Sequence, residues 1–69
     1  MTPHEKAIQI INILGMKTAK VAEIINPENP SPDAVYKKLK SQVRNKFSDE
    51  DFKLLKNYVL EKAEEITKL

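Results

Sequence analysis

Three prolines fall within seven residues near the middle of the chain, between Asn26 and Pro32. Each removes a backbone donor and fixes φ at about −65°, so this stretch is neither helix interior nor central strand. It must be a stiff, extended connector. On both sides of it the sequence favours helix, with abundant Lys, Glu, Ile and Leu, one Gly and no Trp. The chain therefore reads as all-α, broken at a fixed point by the connector.

Local signals place the helices. Thr2, Pro3 and Glu5 form a helix start: a capping hydroxyl, a proline suited to the first helical position, and a carboxylate able to close a capping box. Ala7, Ile10, Ile11 and Leu14 follow at helical spacing, and Gly15 is a natural stop. Helix 1 is expected over 3–14. Helix 2, over 18–25, carries Val21, Ala22 and Ile25 on one face and ends where Pro27 disfavours helical geometry at Asn26. Helix 3 begins with Ser31 as cap, Pro32 at its first position and Asp33 near its positive end, and is expected to reach Arg44. Val35, Leu39 and Val43 share its inner face, with Asp33, Lys37, Lys40 and Arg44 nearly opposite and Tyr36 on the flank. Ser48 and Asp51 form a second capping box, and Phe47 is placed to staple onto Phe52. Helix 4, over 49–67, carries the stripe Phe52, Leu55, Val59, Ala63 and Ile66, widened by Leu54, Tyr58 and Leu60.

At 69 residues the chain forms one domain, read here as a compact four-helix unit spanning 1–69. Its core is small, and without Cys it has neither disulfides nor a thiolate metal site for support. Close helix packing or oligomerisation must stabilise it. The absence of Cys fits a reducing cytoplasm, where we expect the protein to reside. No apolar run approaches membrane-spanning length. The initial Met and the capped start at Thr2 read as a natural N-terminus, with a fragment of a larger recombinase or transposase as the alternative.

Charge is unevenly placed. From Ala34 to Phe47 there are five cations, Lys37, Lys38, Lys40, Arg44 and Lys46, and no acid. Residues 1–33 sum to −1 (three Lys, four acids) and 48–69 to −2 (four Lys, six acids), so the net +2 averages over one concentrated basic element. A helix face meant only for solubility usually mixes signs. A cationic face without acids suits phosphates.

The run SPDAVYKKLK resembles the second helix of helix-turn-helix regulators, which often read Ser-x-x-x-Val-Tyr-x-x-Leu. A leading helix, the motif over about 18–44, and a polar loop into a fourth helix resemble phage-repressor and Cro-like DNA-binding domains. Ala22 supplies the small residue at which the two motif helices cross. The sequence departs from that pattern in two places: the turn after Ile25 is about three residues longer, and helix 4 runs on where a fifth helix is usual. The resemblance implies sequence-specific binding of double-stranded DNA by a homodimer, as a transcriptional regulator of repressor type. Ser31, Asp33, Tyr36, Lys37 and Lys40 would face base edges in the major groove. Lys17, Thr18, Lys38, Arg44 and Lys46 would contact phosphate and set position. The extra turns of helix 4 would form the dimer contact through Val59, Ala63 and Ile66.

Other readings of the same residues are weaker. The PxxP spacing of Pro27 and Pro30 fits a proline-recognition ligand, but a stiff connector explains it equally. His4 is expected to be an exposed first-turn residue. One His and scattered acids give no metal-ligand spacing, and Ser31, Ser41 and Ser48 all have capping or surface explanations, so neither a cofactor nor an enzyme is expected. The rival function is an adaptor or inhibitor module that docks an acidic partner surface.

Overall fold

The computed structural model describes residues 1–40 and 46–69, and the described residues form four helices with no strand. These are α1 (Pro3–Leu14), α2 (Thr18–Ile25), α3 (Pro32–Leu39) and α4 (Asp49–Thr67). The fold is an all-α four-helix domain.

Capping chemistry sets most boundaries. The Thr2 hydroxyl accepts from the Glu5 N–H at 3.1 Å, and the Glu5 carboxylate accepts from the Thr2 N–H at 3.4 Å. The Thr2 hydroxyl also donates to the Glu5 carboxylate at 3.0 Å, and this bond first, then the Thr2 N–H, holds the Glu5 carboxyl below its usual range. At the other end Gly15 takes left-handed geometry (φ 60°, ψ 37°). Its N–H reaches the Asn12 carbonyl and the Met16 N–H reaches the Ile11 carbonyl at 3.0 Å, which satisfies two orphan acceptors. Asn26, at φ −149° and ψ 74°, ends α2 outside helical geometry ahead of Pro27. Ser48 and Asp51 complete the second capping box, with bonds of 3.1 and 3.0 Å.

Helix 3 is shorter than its sequence implied. It closes at Leu39, and Lys40 (φ −80°, ψ 1°) leaves helical geometry instead of carrying the helix on to Arg44. Residues 41–45, among them Val43 and Arg44, lie outside the described residues. Beyond them Phe47 is buried in the core, and Asp51 meets Lys38 across thirteen residues of sequence.

The core is Ala7 and Ile11 of α1, Val21 and Ala22 of α2, Val35 of α3, Phe47, and Leu55 of α4. Ile8, Ile10, Met16, Ile24, Ile25, Leu39 and Phe52 pack around it. α2 lies against α3 and α4, and α1 against α4. His4 is also inside, at 9% exposure, which corrects its expected surface position. It falls on the stripe His4, Ala7, Ile11 that α1 turns inward. Its ring stacks on Phe47 at 5.7 Å between centroids, and its Nδ1 accepts the Phe47 N–H at 3.1 Å. Burial of this imidazole is thus matched by a hydrogen bond and by apolar packing.

Along α4 burial falls off with distance. Leu55 is fully buried, Phe52 and Val59 half-buried, and every residue from Glu61 onward exposed. The last two turns therefore project about 10 Å past the domain body.

Candidate nucleic-acid interface

The surface to consider is the outward side of α3 and the chain on either side of it. Ala22 is 1% exposed and Val35 1%, and α2 packs against α3 in spite of the six-residue connector 26–31. Long turns add little entropy cost once a core has formed. The Ser31 hydroxyl accepts from the Ala34 N–H at 3.3 Å and is used as the α3 cap. Under the connector lies a cleft of about 180 Å³ lined by Ala22, Ile25, Asn26, Ser31, Ala34, Val35, Lys38 and Asp51.

With Val35 and Leu39 turned inward, Asp33, Tyr36, Lys37 and Lys40 stand on the exposed side of α3. Each of these groups has a partner. Lys37 Nζ lies 3.2 Å from the Asp33 carboxylate, one helical turn back, with both side chains largely in solvent. Lys40 Nζ sits 4.8 Å from the centroid of the Tyr36 ring, and that tyrosine is 51% exposed. An exposed ion pair at this spacing contributes only about 0.3–0.5 kcal/mol and is screened by salt, and an exposed cation–π contact about 0.5–1 kcal/mol.

Lys38 differs. Its Nζ is 3.1 Å from Asp51 Oδ2, with side chains 24% and 15% exposed, and lies 5.7 Å from the centre of the Phe47 ring. Asp51 Oδ2 also accepts the Ser48 N–H at 3.0 Å. One carboxylate oxygen thus ties α3 to the first turn of α4. The ammonium of Lys38 points to this joint, so its expected phosphate contact would have to replace an existing interaction. Asp51 is legible in the sequence as a cap, but its second role is not, because nothing local pairs residues thirteen apart.

The other sequence-derived positions are dispersed. Lys17 is exposed and Thr18 half-buried at the start of α2, across the connector in sequence from Lys37 and Lys40. Lys46 is exposed just before Phe47, where with Thr2, Pro3, His4 and Glu5 it borders a shallow depression of about 420 Å³. Arg44 lies outside the described residues. Val59, Ala63 and Ile66 follow one side of α4, half-buried at Val59 and exposed at the other two. Among the described residues, no group of His, Cys, Asp or Glu is arranged to hold a metal ion. No helix there is long and apolar enough to cross a membrane.

No protein-family model, curated protein or solved structure matches this chain at a significant level.

Proposed function

We propose that the protein is a sequence-specific, double-stranded DNA-binding protein of helix-turn-helix type, acting as a homodimeric transcriptional repressor. One observation carries the reading. A small residue, Ala22, is buried on α2 and lines a cleft with Ala34 and Val35 of α3, while Asp33, Tyr36, Lys37 and Lys40 are exposed together on α3. A helix held in this way can enter the major groove, about 12 Å wide, with its first two turns facing base edges.

The roles follow from chemistry. Lys37 and Lys40 donate to guanine O6 and N7, Tyr36 packs on a thymine methyl, and Asp33 accepts from cytosine N4. Lys17, Lys46 and Arg44 supply phosphate contacts, and Thr18 adds a hydroxyl at the start of α2. Few cations serve each copy, so useful affinity requires two half-sites and hence a dimer.

Selection from a random duplex library near physiological salt tests the reading. The expected result is an enriched motif with inverted half-sites, lost on Lys37→Glu with the helical content intact. No enrichment by a folded protein would refute it and favour docking on an acidic protein surface. That alternative predicts equal competition by heparin and by any duplex.

A further inference from the structure

α1 and α4 leave between them an apolar groove of about 250 Å³, lined by Ile10, Ile13, Leu14, Lys56, Val59 and Leu60. Ile13 is 78% exposed, Leu14 51% and Leu60 57%. Immediately beyond it the end of α4 projects with a second apolar feature, Ile66, at 66% exposure. Groove and projection lie on one face of one helix. Lys56, Val59, Leu60, Ala63, Ile66 and Thr67 fall within an arc of about 120°.

We infer that this groove receives the projecting end of α4 from a second copy of the chain, in a two-fold, antiparallel arrangement centred on Ala63. The inference gives the geometry of the dimer that the DNA-binding reading requires, and rests on that reading only for its purpose. Three features favour a second copy over any other occupant. First, the surface is self-complementary. A two-fold axis beside Ala63 sets Leu60 of each copy against the partner's Ile66, so each projection fills the other's groove at once, as an isologous contact demands. Ala63 is the small residue on that stripe, at the point where the two backbones come closest.

Second, charge matches. The one charged residue lining the groove is Lys56. The last turn of α4 carries Glu64 and Glu65 and no basic residue, Lys68 at its C-cap is engaged with Glu64 at 3.6 Å, and the helix dipole adds negative charge at this end. The antiparallel arrangement brings Lys56 of each copy to that end of the other. Third, the area suffices. Taking roughly 200 Å² for a fully exposed Ile or Leu, the residues Ile13, Leu14, Leu60 and Ile66 expose about 500 Å² per chain, and two copies about 1,000 Å², the lower bound for a specific interface.

The test uses the full chain without DNA. In sedimentation equilibrium from 1 to 200 μM, the mass is expected to rise from 7.9 kDa toward twice that value. Ile66→Glu places a charge in the partner's groove and is expected to weaken the dimer roughly thirtyfold or more. Because Ile66 is already exposed, helical content should be retained. The chain has no cysteine, so a single introduced one reports proximity directly. Ala63→Cys is expected to form an intermolecular disulfide rapidly under mild oxidation. Glu61→Cys, which points to the far side of α4, should do so slowly. A monomer at 200 μM, a dimer indifferent to Ile66→Glu, or equal cross-linking at 61 and 63 would each overturn the inference. A monomer that still enriches a duplex motif would remove this inference alone. A dimer that enriches none would remove the DNA reading alone.

Discussion

His4 offers the sharpest test of how the domain holds together. Its Nδ1 accepts the buried Phe47 N–H at 3.1 Å, and its ring stacks on Phe47 at 5.7 Å. His4→Leu fills much of the same volume but leaves that N–H without its acceptor. An unsatisfied buried donor costs about 1–3 kcal/mol, and loss of ring stacking adds about 0.5 kcal/mol or more. A chain of 69 residues has a total stability of only about 3–10 kcal/mol, so a loss of about 2 kcal/mol is a large share. It should lower Tm by roughly 8–16 °C. His4→Asn is the control, since its amide oxygen reaches nearly the position of Nδ1 while the ring is lost. Urea unfolding at pH 8, followed by circular dichroism at 222 nm, should rank native above His4→Asn above His4→Leu. A His4→Leu loss under about 0.5 kcal/mol, or a His4→Asn loss equal to it, would refute the claim that this acceptor anchors Phe47.

Gly15→Ala is expected to cost about 1 kcal/mol by thermal unfolding, with Gly15→Asn costing less, because the positive φ is the whole penalty and open space surrounds the added Cβ. Asp51→Ala removes an α4 cap and the Lys38 partner together and should cost about 1–3 kcal/mol. Lys38→Met, which keeps the cap, should cost clearly less in the same denaturation assay. Because the folded-state pKa of Glu5 is lowered, its capping box contributes stability above its ordinary value of 4.5 and loses it as pH falls below that. Glu5→Gln should therefore flatten the acid limb of a stability profile taken between pH 6 and 3, and an unchanged limb would refute the link.

Helix boundaries set by near neighbours are legible in the sequence itself. Thr2 with Glu5, Gly15, Asn26 before Pro27, and Ser48 with Asp51 each act within a few residues, and both ends of α1, the end of α2 and the start of α4 fall where those signals place them. The end of α3 at Leu39 is not legible in this way. The spacing of Val43 from Val35 and Leu39 supports a longer helix, and no local residue contradicts it. His4 carries a usable signal that its polarity obscures: it precedes Ala7 by three residues and Ile11 by seven, on the buried stripe. The pairing of Lys38 with Asp51 is visible only as two separate features, a lysine in a basic run and an acid in a cap. Periodicity alone sets Lys38 about 60° from Val35, on the flank of α3 and apart from Lys37 and Lys40, but does not name its partner.

The distinction between Lys38 and its neighbours matters for how a basic helix serves a partner. An exposed ion pair such as Lys37 with Asp33 is worth a few tenths of a kcal/mol and exchanges readily. The Lys40–Tyr36 contact has the same standing, because the ring is half in solvent. Either lysine is thus released to an incoming phosphate or base edge at little cost. Lys38 is not: its ammonium is partly buried between Asp51 and Phe47, and withdrawing it leaves a shielded carboxylate without its cation. On one two-turn helix, the inner lysine therefore ties α3 to the first turn of α4, and the outer two carry charge that is only weakly held. Substituting Lys37 or Lys40 should weaken ligand binding while leaving the fold, whereas substituting Lys38 should alter the orientation of the whole face, so that a Lys38 defect in binding is accompanied by a loss of stability.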